Sequence, residues 1–139
     1  MIRTGQLTVA LPPDQAFRLF TPLGEREWVD HWDPHFPDPV DDDSAPGTVF
    51  RTAGHDGGTT TWVVVDREPG RRLRYARIAT DKTAGTVEVV LRAAEGGSEV
   101  TVTYQLTALD EAAAAELAGF AEHYPEFIRS WEEAIAAAI

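Results

Sequence analysis

Leu73, Tyr75 and Arg77 stand two residues apart in a run of strand character, and strand alternation places all three on one face. If Leu73 and Tyr75 face the interior, so does Arg77. A guanidinium there keeps its charge, so it needs an acidic partner or an anionic ligand. On one reading Arg77 anchors a carboxylate or enolate. On the other it is a rim residue, or a bulge returns it to solvent. His31, Asp33 and His35 form a second constellation, H-x-D-x-H, with His55 and Asp41 to Asp43 elsewhere. Imidazole and carboxylate can ligate a divalent ion or relay protons. Pro34 within the run excludes a helical zinc motif, and a solvated loop is the expectation. The aspartate triplet lacks the alternating ligands and distal glutamate of a calcium loop. Gly54-His55-Asp56-Gly57-Gly58 has no following helix to present amides to phosphate. Ser44, Ser98 and Ser130 lie in no nucleophile motif. Arg71, Arg72 and Arg74 read as a solvated strand end rather than an anion patch. The chain has no cysteine, which excludes disulfides, thiolate catalysis and Cys-ligated metals. No metal and no cofactor are expected.

The elements that must position these residues follow from period and punctuation. Leu7, Val9 and Leu11 alternate within a first strand, Ile2 to Leu11. Pro12-Pro13-Asp14 stops it and opens a short helix carrying Ala16, Phe17, Leu19 and Phe20. Thr21-Pro22 can cap a second short helix through Glu25 to about Trp28 or Val29. Residues 31–47 hold four prolines and five aspartates and read as a loop, with one short edge strand around Pro39–Asp41. Long loops in compact domains are often binding loops.

Strands then follow over Thr48–Ala53, Thr59–Arg67, Arg71–Ala79 and Thr86–Ala94, with turns at Asp56-Gly57-Gly58, Glu68-Pro69-Gly70 and Asp81–Gly85. After Glu95-Gly96-Gly97, the residues Val100, Val102, Tyr104 and Leu106 give the cleanest one-sided strand. From Asp110 the period changes. Leu117, Phe120, Ala121, Tyr124, Ile128, Trp131 and Ile135 form one apolar helical face, and Pro125 predicts a kink near His123–Tyr124. The result is an α+β chain, an antiparallel sheet of six or seven strands covered by a long C-terminal helix.

The chain has 139 residues and a net charge of −11. One domain over 1–139 is expected. Residues 1–45 and 108–139 each net −6, while 46–107 net +1. Such a balance disfavours nucleic acid and anionic membranes. No signal peptide and no membrane-spanning stretch are visible, so a cytoplasmic location and no membrane insertion are expected.

Four segments carry a family resemblance that covers essentially the whole chain. They are LPPDQAFRLFTP, TTTWVVVDREPGRRLRYARI, GGSEVTVTYQL and FIRSWEEAI. The chain resembles the START-like superfamily, also called SRPBCC, and within it the polyketide-cyclase-like and heat-shock-ATPase-activator-like branches. The resemblance implies a helix-grip fold: a curved sheet wrapped around the C-terminal helix, with an apolar cavity between them. It carries no catalytic signature. Members bind lipids, hormones or polyketides, and some are enzymes.

Within that architecture, Tyr75, Tyr104, Phe120, Tyr124, Phe127 and Trp131 should approach the sheet–helix interface, with Trp28, Trp32 and Phe36 near the mouth. Trp62, from the strong third strand, joins Arg77 and these residues as a ligand-contact candidate. Aromatic walls with a few polar tips suit a small-molecule pocket, although the same residues also fill cores. The expected function is binding of a small apolar or amphipathic molecule. A cyclase, aromatase or hydrolase-like enzyme on the same cavity is the alternative, and a protein-partner module the second. Apolar residues near the long loop could support a homodimer.

Overall fold

A computed structural model describes residues 1–54 and 57–139. His55 and Asp56 lie outside the described residues, and with them the start of the expected turn Asp56-Gly57-Gly58 and the histidine that stands apart from H-x-D-x-H. Six strands form one antiparallel sheet: β1 Ile2–Val9, β2 Val49–Ala53, β3 Thr59–Glu68, β4 Arg72–Ala79, β5 Thr83–Ala94 and β6 Gly97–Ala108. Their order is β1-β6-β5-β4-β3-β2. Every neighbour is also a sequence neighbour except β1, which closes onto β6 with Leu7 opposite Val100.

Alternation builds the inner face. Leu73 and Tyr75, Val87, Val89 and Leu91, and Val100, Val102, Tyr104 and Leu106 are all buried. Their partners on the helical side include Tyr124, Ile128 and Ile135. The C-terminal segment is two helices, α2 Glu111–Glu122 and α3 Tyr124–Ala138. Asp110 caps α2 by accepting from the Ala113 N–H at 2.8 Å. The break falls at His123, with Pro125 in the first turn of α3, as the loss of an amide donor predicts. Helix α3 crosses β1 closely at Gly5, where a Cβ would stand 2.9 Å from Ile128 Cγ1.

The segment between β1 and β2 contains α1 Pro13–Ala16, a 3₁₀ turn over Phe17–Phe20 and another over Gly24–Glu27. Thr21 joins the two turns. Its hydroxyl donates to Arg18 O at 2.8 Å and accepts from the Gly24 N–H at 3.1 Å. The expected edge strand around Pro39–Asp41 does not form. The loop instead touches the sheet through one bridge, His35 to Arg51. Strand β5 begins at Thr83, earlier than its alternation suggests. Gly85, which reads as the end of a turn, lies within the ladder opposite Leu106 and Arg77. A Cβ there would lie 1.9 Å from Gln105 O, so only glycine fits.

Candidate functional site

The sheet and the two C-terminal helices do not close completely. Between them lies a cavity of about 370 Å³, within the range of small-molecule sites. Strand β4 contributes Arg77 and Ala79, β6 contributes Tyr104 and Leu106, and the ends of β3 and β5 contribute Thr60 and Thr83. The helical wall is Ala113, Leu117 and Phe120 of α2 and Phe127 of α3. Gly54, Thr80 and Glu116, all exposed, stand at the rim.

Arg77 follows Leu73 and Tyr75 onto the inner face. It is half-buried, and its Nη1 donates to Thr83 Oγ1 at 3.3 Å. Its Cζ lies 5.4 Å from the Trp62 ring centroid, a cation–π distance. Trp62 is itself fixed, since its Nε1–H donates to Thr52 Oγ1 at 3.0 Å. No carboxylate among the described residues pairs with Arg77. The guanidinium therefore keeps donors free on a wall that also carries Thr60, Lys82 and Thr83.

Tyr104 stands beside it, buried, packed against Phe120 at 5.4 Å and Phe127 at 5.6 Å between centroids. Burial pushes its phenol well above the ordinary value, while the Arg77 charge acts in the opposite sense. The side chain stays protonated. Among the described residues its hydroxyl has no hydrogen-bond partner, unlike those of Tyr75 and Tyr124.

The structure thus brings Arg77, Tyr104, Phe120 and Phe127 to one cavity. Of the others, Trp62, Tyr75 and Trp131 border a separate small void, and Trp28, Trp32, Phe36 and Tyr124 pack into the core. Trp28 and Trp32 do not stand at the mouth. Their indole N–H groups donate, both at 2.7 Å, to Leu19 O and Pro22 O, carbonyls that the short helical turns leave open. Phe36 packs on Phe50 at 5.6 Å, and Phe50 stacks parallel to Trp62 at 5.9 Å. Trp62 meets the cavity only through Arg77. Tyr75 donates to Phe20 O at 2.7 Å, and Tyr124 to Val102 O at 2.7 Å.

The other constellations are structural in what they touch. Asp33 pairs with Arg26 at 3.1 Å, and His31 and His35 are exposed. Among the described residues no three metal-ligating side chains converge. Asp42 accepts from Arg67 at 2.6 Å, and that bond holds its carboxyl below the usual range. Asp43 accepts from the Leu23 N–H at 2.8 Å. Arg72 pairs with Asp66, Glu68 and Glu88.

Three polar residues near the cavity escape sequence reasoning. Thr60 and Thr83 are cavity walls, and Thr83 was hidden in a segment that reads as a turn. Glu25, on an acidic helical turn, sends its carboxyl inward to a separate void of about 20 Å³ that Tyr104 also bounds. No sequence signal marks it.

The model of a family described as polyketide cyclase / dehydrase and lipid transport matches residues 4–129. No curated protein sequence matches the chain. An X-ray structure of a Mesorhizobium loti protein superposes with a TM-score of 0.71 at 18% identity, covering 100% of this chain and 99% of that one. The Aha1 dimer from Colwellia psychrerythraea gives 0.67 at 14% identity, covering 97% and 96%. DynU16, a protein of the dynemicin biosynthetic locus, gives 0.64 at 18% identity, covering 95% of this chain and 46% of that one. At these identities the likeness is one of fold. No helix is long and apolar enough to cross a membrane among the described residues.

Proposed function

The chain belongs to the polyketide cyclase / dehydrase and lipid transport family, and from that premise we propose that its cavity binds a small aromatic or amphipathic molecule bearing an anionic oxygen. The observation that carries this reading is Arg77: a half-buried cation on the cavity wall beside Tyr104, Phe120 and Phe127, without a carboxylate partner among the described residues. Apolar contact with Leu106, Leu117, Phe120 and Phe127 supplies affinity without direction. Arg77 supplies direction, because a carboxylate or enolate is what its free donors can take. Thr83 and the face of Trp62 hold the guanidinium in place, so little ordering is left for the ligand to impose.

The test is native mass spectrometry of the protein as purified, followed by titration with 6-ethyl-2-naphthoate as an aromatic carboxylate probe. Arg77→Ala should weaken the probe roughly ten- to hundredfold, as expected for a charged hydrogen bond. Unchanged affinity in that variant would overturn the anchor.

One observation favours a second reading, an enzyme of the cyclase or dehydrase type. The protonated Tyr104 hydroxyl stands free beside Arg77, an arrangement that can stabilise an enolate by hydrogen bond and charge while solvent water takes up and returns the α-proton. Solvent-deuterium exchange into the α-position of a bound aromatic ketone, lost in Tyr104→Phe, is the outcome that would establish it.

A further inference from the structure

The cavity reading leaves Glu25 without a task. The residue lies in the 3₁₀ turn Gly24–Glu27 and is half-buried. Its carboxyl is turned into the interior, where it borders the 20 Å³ void with Trp62, Tyr75, Tyr104 and Trp131. Among the described residues no hydrogen bond and no ion pair reaches that carboxyl. The neighbouring polar tips are committed elsewhere: Trp62 to Thr52, and Tyr75 to Phe20 O. Burial drives the carboxyl pKa well above its usual range, which favours the protonated form, and that form carries a donor.

The void has room for one water or one ligand oxygen, since about 10–15 Å³ suffices. It also lies next to the larger cavity. Tyr104 bounds both spaces, and the contact of Arg77 with Trp62 links a wall of one to a wall of the other. The Tyr104 side chain thus stands between the two spaces, and a ligand reaching from one into the other must displace that ring.

We propose that the Glu25 carboxyl is a second anchor of this cavity, donating a hydrogen bond to a carbonyl oxygen at the buried end of a ligand whose anionic group is held by Arg77. This rests on the reading that the cavity binds a ligand. The class of ligand it names is an aromatic keto acid. The two anchors sort the ends of such a molecule by chemistry. The cation takes the anionic end, and the neutral acid takes the uncharged oxygen. The titratable groups facing Glu25 are Tyr75 from β4 and Tyr104 from β6; α3 presents only Trp131. Asp43 and Arg77 act on those two hydroxyls. On its own turn, Arg26 and Glu27 point outward to Asp33 and Arg18.

The experiment compares 6-acetyl-2-naphthoate with 6-ethyl-2-naphthoate, which lacks the ketone. Wild type should prefer the acetyl probe by about tenfold, the worth of one hydrogen bond. Glu25→Leu should erase that preference and leave the ethyl probe bound. Glu25→Gln should retain it, because the amide still donates. In wild type the preference should fall as pH rises through the raised Glu25 pKa, and in Glu25→Gln it should stay flat. Independently of any ligand, the infrared difference between wild type and Glu25→Gln at neutral pH should contain a protonated carboxyl band. Equal affinity of wild type for the two probes, a preference that survives Glu25→Leu, or absence of the band would each overturn the proposal. If Arg77→Ala weakens both probes while the ketone has no effect, the cavity reading stands and the Glu25 anchor falls. If neither probe binds wild type, both fall.

Discussion

The aromatic interior has two regions that differ in how their polar tips are used. Around Phe20, Trp28, Phe50, Trp62 and Tyr75, rings pack edge to face at 5.7–6.0 Å or stack. Every indole N–H and hydroxyl there reaches a hydrogen-bond acceptor. Around Tyr104, Phe120 and Phe127 the rings are equally close, yet Tyr104 and Arg77 keep donors without acceptors, and a cavity opens beside them. The difference teaches where to look for a ligand. Aromatic density alone marks a core, whereas density with unspent donors marks a place prepared for something else.

The largest effect that can test this contrast is on stability. Phe50→Ala should cost about 3–5 kcal/mol in urea unfolding, because it empties a fully packed site. Phe120→Ala, on the cavity side, should cost clearly less, since the wall is already open there. Equal losses would break the comparison. Next come the hydroxyls. Tyr75→Phe and Tyr124→Phe each remove a buried hydrogen bond, at about 1 kcal/mol. Tyr104→Phe should be within about 0.5 kcal/mol of wild type and should instead alter probe binding.

A smaller and pH-dependent effect belongs to Glu25. A carboxyl whose pKa is raised on folding binds its proton more tightly in the folded state. Stability therefore falls as pH rises from the ordinary glutamate range up to the folded pKa. Glu25→Gln should remove that slope, matching wild type in acid and exceeding it at neutral pH, as read from thermal midpoints. The smallest effect concerns Asp42. Its lowered pKa makes the Arg67 bond a contribution present above the ordinary aspartate range and lost as pH falls below it. Asp42 is exposed, so Asp42→Asn should shift the midpoint only marginally.

Much of this fold is written in simple periods. Leu73, Val87, Val102 and their alternating neighbours declare the inner face, and the spacing from Leu117 to Ile135 declares the helical cover. The same counting carries Arg77 inward from Leu73. What periodicity does not disclose is who satisfies whom. Trp28, Trp32 and Phe36 look like a cavity mouth because they cluster in a loop. Only the positions of Leu19 O and Pro22 O turn the two indoles into fastenings for that loop. Thr83 is invisible as a wall because Asp81 to Gly85 has turn composition, and the demand for glycine at position 85 arises from Gln105, twenty residues away. Glu25 is silent for a similar reason. An acid in an acidic helical turn reads as surface, and its inward direction depends on the tight geometry that Thr21 imposes.

The closure of β1 onto β6 has a consequence for how the chain reaches this state. Leu7 and Val9 find their ladder partners, Val100 and Ser98, only in the last strand. Contacts so distant in sequence slow folding, because a large loop must close before they contribute. During synthesis the first strand must wait, with its apolar side unprotected, until β6 has left the ribosome. The middle strands β3, β4 and β5 pair with near neighbours and can form a meander without it. Amide protection of β1 during refolding should therefore lag behind that of β4.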